Sequence, residues 1–577
     1  MRVSPGALAL GIALVAGCTG SAALDTGAHG VDPGLDAGAG SDVAEAPDLP
    51  EGHDTDVAPF DPDPTPTIAW RRCPFSTGGG GQDVECADVA LPLDWGAVDG
   101  PQLDVFLKRV PAQGEPRASV WLLSGGPGGA GDAMEEVARL LGERDEGLEF
   151  YLPDHRGAGR SGRLSCPAQE RSTGPGSSEI TDEEWPACLD RLSEDHGAGL
   201  GQFTATAAAM DLGALIAATS QRRGLPVIVL GLSYGTWWAH RHAQLFPEQP
   251  AALVLDSICL PGLCDLTTYD EGFDETGRAL LARCADDPRC RGRFEDEPEA
   301  TLARALDGLD AGLCPGAVAL GLDRRTARRV LAALLTDWEL RALIPAIALR
   351  LDRCSEADVA ALSQLARVFG LGRPPFSEPS LFSPVLNHHI GLSEMWADPS
   401  PSPEELARRS HEALISPDAT LDLIALRERW PRYAPDALAG AWASVQVPML
   451  MLNGNLDPQT PLSIAAPAAE AFSAPGQTFI EIDGGGHAAI FQAPTEGGGS
   501  CGLELISAFL REPGAPLDRG CLGRLRALDF DGDPRAARWM LGSSDPWGGG
   551  QEKSAVDLTR PAGLWRVLAA FRTLGGR

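Results

Sequence analysis

Two kinds of hydrophobic period alternate along this chain. From Val84 to Leu93 and from Leu103 to Val110 apolar and polar residues alternate, the period of antiparallel strands with one buried face. Ser119 to Leu123, Glu149 to Leu152, Val227 to Leu230 and Ala252 to Leu255 are nearly solid apolar runs, which read as parallel strands buried on both faces. Thr204 to Arg222 and the stretch ending at Gln244 read as helices. Such alternation predicts an α/β fold, a mostly parallel sheet with helices on both faces. From about Gly262 to Gly440 the period becomes helical. Leu331, Leu334, Leu335 and Trp338 share one face, and Pro345 is expected to end or kink that helix. Ser402-Pro403-Glu404-Glu405 predicts a helix start, with a serine cap, Pro in the first turn and acids near the positive end of the dipole. The strand pattern resumes at Pro448 to Leu452 and at Thr478 to Ile482. No internal repeat is evident.

The strand at Val227 runs into Gly231-Leu232-Ser233-Tyr234-Gly235 and then a helix. A turn this sharp needs small residues on either side of the serine, and it lifts the hydroxyl to the N-terminal end of a helix, where negative charge is favoured. A serine hydroxyl is a weak nucleophile until a base takes its proton and a carboxylate orients that base. Asp457 lies just beyond the Met449–Leu452 strand and His487 just beyond the Thr478–Ile482 strand. The order Ser, Asp, His, each at a strand's C-terminal end, is the order found on α/β-hydrolase sheets. Alone, Asp457 reads as a turn residue before proline and His487 as a loop histidine; their joint placement makes them candidates. Asp483 is a competing acid, ranked lower because it sits so close to the end of its own strand. His388 and His389, in the helical insertion, read as structural or substrate-facing.

The loop Ser124-Gly125-Gly126-Pro127-Gly128-Gly129-Ala130-Gly131 follows another strand and lacks the Gly-x-x-x-x-Gly-Lys pattern of a phosphate cradle. In a serine hydrolase it would supply an oxyanion hole, here expected from the N–H groups of Gly126 and Tyr234, with Gly125 as the alternative to Gly126.

Charge and cysteine usage narrow the picture. The formal charge of −33 argues against nucleic-acid binding, and Lys108 and Lys553 are the only lysines. Arg2, the apolar run Ala7 to Ala16 and Gly17-Cys18 fit a secretory signal too short to span a bilayer. Residues 18–67 are acidic, Gly/Ala/Pro-rich and without Lys or Arg, the composition of a disordered tether. Of 13 cysteines, Cys18 aside, an even number remains, which in an exported chain reads as disulfides and not as metal ligands. Short spacings suggest Cys73–Cys86, Cys166–Cys188, Cys284–Cys290 and Cys501–Cys521, and Cys259–Cys264 with Cys314–Cys354 would complete the set, although sequence does not decide connectivity. No metal site or cofactor is expected.

Two resemblances add to this. Val15-Ala16-Gly17-Cys18 resembles the lipobox of bacterial lipoproteins, which implies cleavage before Cys18, a lipid on its sulfur and attachment to a membrane. An ordinary signal peptide with release into the medium is the alternative. Gly-Gly-Pro-Gly-Gly, Asp154-x-Arg156-Gly157-x-Gly159-x-Ser161, Gly231-x-Ser233-Tyr234-Gly235-Thr236, Asp457-Pro-x-Thr460-Pro461 and Gly486-His487 together resemble the prolyl aminopeptidase and tripeptidyl aminopeptidase branch of the α/β-hydrolases. The Ser-Tyr-Gly-Thr form is nearest to the exported tripeptidyl aminopeptidases, and Cys501…Cys521 is similar to that group's C-terminal segment. The resemblance covers roughly residues 70–521. Ser124 departs from it where many members carry His, and Tyr234 replaces the Trp of prolyl aminopeptidases, so it does not extend to proline specificity.

The expected organisation is a signal peptide over 1–17, a tether over 18–67, an α/β-hydrolase core over 68–262 and 441–521, a helical cap over 263–440 and a C-terminal extension over 522–577. That extension carries Trp539, Trp547 and Trp565, too many large aromatics for a disordered tail, and suggests no function by itself. The resemblance implies a serine exopeptidase acting on peptide N-termini through Ser233, Asp457 and His487. A carboxylesterase or lipase with the same triad is the alternative, and a tethered binding protein that kept the fold is a third. In the cap, Ile390-Gly391-Leu392-Ser393-Glu394-Met395-Trp396 holds a lone acid among apolar residues, so Glu394 is the expected reader of the substrate's ammonium, or else a helix-capping or solvated glutamate.

Overall fold

A computed structural model describes residues 65–75, 84–171, 179–371 and 381–548. The expected signal peptide, Cys18 and the expected tether up to residue 64, and Trp565, lie outside the described residues. Among the described residues nine strands form one sheet: β1 (Arg71–Cys73), β2 (Val84–Pro92), β3 (Gln102–Val110), β4 (Ala118–Leu123), β5 (Leu148–Pro153), β6 (Val227–Leu232), β7 (Ala252–Asp256), β8 (Met449–Gly454) and β9 (Gln477–Ile482). Their order is β1-β2-β3-β5-β4-β6-β7-β8-β9. The alternating strands β1 to β3 make the antiparallel end, and β3 meets β5 antiparallel. From β5 to β9 every neighbour is parallel.

The solid apolar strands are buried on both faces because each face has its own core. Trp121, Val229, Leu253 and Met451 pack on one side with Leu212, Leu215 and Trp238 from the helices Ala205–Arg223 and Tyr234–Leu245. Val120, Ile228, Val254 and Leu450 pack on the other with Leu141 and Ile506 from the helices Glu135–Arg144 and Cys501–Arg511.

Between β7 and β8 the described chain is helical, from Tyr269–Asp286 to Ala419–Arg429, with a core of its own around Phe273, Leu331 and Leu362. Ser402 caps the helix Pro403–Glu412 through the amide of Glu405 at 3.1 Å. Pro345 corrects the expectation for it. The helix Arg324–Leu335 ends ten residues earlier, and Pro345 instead sits in the first turn of the helix Ile344–Arg353, where its missing N–H leaves no bond unmade.

Part of the C-terminal extension belongs to the cap. Phe530, Met540, Leu541 and Trp547 are buried in the cap core, and Arg350 donates to the carbonyl of Pro546 at 2.7 Å. Trp539 and Trp547 thus pack on the cap core. Six disulfides join Cys73–Cys86, Cys166–Cys188, Cys259–Cys264, Cys284–Cys290, Cys314–Cys354 and Cys501–Cys521.

Candidate active site

The parallel register brings the C-terminal ends of β4, β6, β7, β8 and β9 to one edge, and the candidate residues sit in the loops that leave it. Ser233 has φ 57° and ψ −127°, a strained conformation for a residue with a side chain. Both flanking glycines are sterically required. A Cβ at Gly231 would lie 2.2 Å from the carbonyl oxygen of Gly235, and one at Gly235 would lie 2.2 Å from that of Leu123. Below the turn, His155 Nδ1 lies 2.7 Å from the Arg156 carbonyl and must donate to it, so Nε2 accepts the Tyr234 hydroxyl at 3.3 Å. Tyr234 is thereby fixed with its amide at the start of the helix.

Gly126 and Tyr234 both line the cavity at Ser233. Gly125 is pressed against the serine backbone, where a Cβ would meet both Leu232 O and Ser233 Cβ at 2.9 Å. The loop's far end is tied by Asp154, whose carboxylate accepts the amide of Gly131 at 2.7 Å and that of Arg160 at 2.7 Å. This accounts for the Asp154…Ser161 motif as a brace for the glycine loop.

Asp457 and His487 meet. Nδ1 of His487 lies 2.9 Å from both carboxylate oxygens of Asp457, and both side chains are fully buried. The carboxylate also accepts the amides of Gln459 and Thr460 and the Thr460 hydroxyl, at 2.9, 3.0 and 2.7 Å. Burial pushes Asp457 up, but the His487 ring and the Thr460 donors outweigh it and hold the acid below its usual range. Nε2 of His487 is buried and makes no hydrogen bond to Ser233 or to any other group among the described residues. Asp483 is not the partner of His487: it is exposed and pairs with Arg283 at 2.6 Å. His389 is structural, bonded to the Leu200 carbonyl at 2.9 Å and accepting from Trp430 at 3.1 Å, and His388 stacks on Trp430.

Two groups at this edge were not singled out from the sequence. Asp256 ends β7, fully buried, and accepts the amides of Ala489 and Ile490 at 2.8 and 2.9 Å, while the next residue, Ser257, accepts that of Ala488 at 2.7 Å. Three successive amides after His487 are thus held by two adjacent side chains. Burial pushes Asp256 up to about 6, against the pull of the two amides. A polar residue closing an apolar strand was the available signal. The second group is Arg341, reaching down from the cap. It is fully buried and donates to the carbonyl of Leu456 at 3.1 Å and to that of Gly484. It therefore ties the aspartate loop to the histidine loop, and burial pushes its guanidinium down to about 9.

The cavity over Ser233 has a volume of about 370 Å³, in the range of small-ligand sites. Asp265, Glu271 and Glu275 line it, with no Lys, Arg or His among the lining residues. Glu394 does not line it, which corrects the expected amine reader. At the end of the helix Pro384–Glu394 its carboxylate accepts the Ala205 amide at 2.9 Å and the Tyr433 hydroxyl at 2.5 Å, capping the helix Ala205–Arg223. It faces a separate cavity of about 200 Å³ with Thr206 and Asp436. Among the described residues, no group of three or more His, Cys, Asp or Glu could hold a metal.

Residues 423–521, the segment that carries Asp457, His487 and the Cys501–Cys521 bridge, match the TAP-like protein family. The sheet order and this match give the chain an α/β-hydrolase fold with a TAP-like segment. The chain is 26% identical over 249 residues to serine protease Hip1 of Mycobacterium tuberculosis, covering 39% of this chain and 46% of that protein. It is 25% identical over 229 residues to the tripeptidyl aminopeptidase of Streptomyces lividans, covering 36% of this chain and 41% of that protein. The chain thus matches less than half the length of either relative. Epoxide hydrolase A from Mycobacterium thermoresistibile superposes with a TM-score of 0.30 and 18% identity over 78% of this chain and 99% of that one. The strand order and the family match carry the fold assignment, not that superposition.

Proposed function

We propose that this chain is an exported serine exopeptidase that releases short peptides or single residues from free N-termini. The observation that carries the reading is the buried Asp457–His487 pair, at the same sheet edge as the strained Ser233 and beside a cavity lined by acids and no cation. Ser233 Oγ attacks the scissile carbonyl. His487 Nε2 takes the serine proton and returns it to the leaving amine, while Asp457 fixes the ring so that Nε2 faces the nucleophile. The bond from Ser233 to Nε2 is not formed in the free protein; such bonds commonly tighten when substrate binds. The amides of Tyr234 and of Gly126, with Gly125 as the alternative, hold the oxyanion, and water then resolves the acyl-enzyme.

The free ammonium is read in the cavity by Asp265, Glu271 or Glu275. Six disulfides and the N-terminal signal support export, and the lipobox-like stretch supports a membrane anchor through Cys18. Cys18→Ser should release the protein from membranes without changing its kinetics. Retention after a high-salt wash would contradict the anchor. The names of the two relatives, a serine protease and a tripeptidyl aminopeptidase, favour a peptidase over a carboxylesterase or lipase.

The test is a panel of free and N-acetylated mono-, di- and tripeptide chromogenic amides and esters. Free-amine peptides should be cleaved at least tenfold faster than their acetylated forms. Equal rates on both, or hydrolysis of acyl esters alone, would overturn the exopeptidase reading.

A further inference from the structure

Three polar side chains that line the Ser233 cavity each hold a buried atom with no hydrogen-bond partner among the described residues. Asn387, from the cap helix Pro384–Glu394, is 1% exposed, and its Oδ1 has no partner. Its orientation is fixed, because the other end of the amide lies 2.9 Å from the Pro127 carbonyl, which can only accept; the nitrogen must face Pro127 and the oxygen must face away. Gln459, from the loop after β8, is 6% exposed, and its Nε2 has no partner. Tyr269, at the start of the first cap helix, is half-buried with its hydroxyl shielded and unpaired. The three residues belong to three separate elements, so one local accident of packing does not explain them.

Leaving a buried polar atom unpaired is costly, and nearly all such atoms in folded proteins are satisfied. Three in one cavity point to a ligand that completes them. That ligand must donate to Asn387 Oδ1, accept from Gln459 Nε2, and bond with a hydroxyl that can do either. A peptide main chain offers N–H and C=O groups in alternation and meets all three demands. A fatty-acyl chain meets none, and binding one would keep all three groups unsatisfied.

We infer that Asn387, Gln459 and Tyr269 form a rail that binds the main chain of a peptide in the Ser233 cavity, and that this rail selects peptides over simple acyl esters. The inference rests on the peptidase reading and adds to it the residues that set substrate class. The ammonium readers identify a chain end; the rail identifies a peptide.

The test compares kcat/KM for a free tripeptide p-nitroanilide and for p-nitrophenyl butyrate in the unaltered protein, Tyr269→Phe, Gln459→Met and Asn387→Leu. The peptide-to-ester ratio should fall about tenfold in each variant, the usual scale of one lost hydrogen bond to substrate. Tyr269→Phe removes a single oxygen, so the result does not depend on whether Asn387→Leu folds. A tripeptide analogue with its internal N–H replaced by oxygen should lose about tenfold with the unaltered protein and nothing further with Asn387→Leu. An unchanged ratio in all three variants, with the peptide cleaved, would overturn the rail alone. Ester hydrolysis without peptide hydrolysis by the unaltered protein would overturn the peptidase reading and the rail with it.

Discussion

The carboxylate of Asp256 accepts the amide of Ala489 at 2.8 Å, two residues beyond His487. Asp256 lies on β7, between the strands that present Ser233 and Asp457, so the histidine loop is anchored to the middle of the sheet. Asp256→Asn keeps the size but turns an N–H donor toward one of the two amides. We expect kcat to fall ten- to a hundredfold with KM changed less than threefold, because His487 is displaced while the cavity is kept. A rise in KM with kcat unchanged would show that Asp256 does not position the histidine.

Arg341 makes a second link, from the cap to the loops that carry Asp457 and His487. In Arg341→Met the carbonyls of Leu456 and Gly484 lose their donor, at about 1–3 kcal/mol for each buried group left unpaired. Thermal unfolding should move to lower temperature and kcat should fall. Arg341→Lys should recover only part of either, because one ammonium cannot reproduce the planar fork that reaches two loops. Full recovery by lysine would contradict the two-loop role.

Stability should fall with pH in a defined window. Burial pushes His155, His242 and His389 down to about 4 and His240 down to about 3. In the unfolded chain they titrate near 6.5, so below that pH the unfolded state takes up protons that the folded state refuses. Each then costs about 2 kcal/mol at pH 5. Asp256 and Asp270, raised by burial to about 6, act in the opposite sense between pH 6 and 4, but two acids do not offset four histidines. The Tm should drop by several degrees from pH 7 to pH 5. A Tm that is unchanged or higher at pH 5 would contradict neutral, buried rings.

Glu394 gives a prediction that separates its two roles. It caps a core helix and bonds Tyr433, away from the Ser233 cavity. Glu394→Ala should therefore lower Tm and reduce free-amine peptide and acyl ester hydrolysis by similar factors. A loss confined to free-amine peptides would restore Glu394 as the amine reader.

What could be read from the sequence was what depends on local pattern. The apolar strands announced themselves, and Ser233, Asp457 and His487 each follow one directly, so their shared edge was visible before any tertiary contact was known. Close cysteine pairs were legible for the same reason. Asp256 and Arg341 were not, because their roles depend on which strands are neighbours and on a cap side chain descending onto loops more than 100 residues away. A lone arginine in a helical stretch reads as surface. Glu394 shows the limit from the other side: its apolar surroundings marked it out, but left open whether it would read an amine, cap a helix or stay solvated. The Trp539–Trp547 segment showed that it packs, but the cap as its partner needed the fold.

The most direct measurement of the central claim is active-site labelling with a fluorophosphonate, followed by mass mapping of the adduct. One equivalent should attach to Ser233 in the unaltered protein and none in Ser233→Ala. In His487→Ala, where the hydroxyl remains but its base is gone, labelling should slow by roughly 10⁴. An adduct on another residue, or labelling of Ser233 at an undiminished rate in His487→Ala, would contradict a relay from Ser233 through His487 to Asp457.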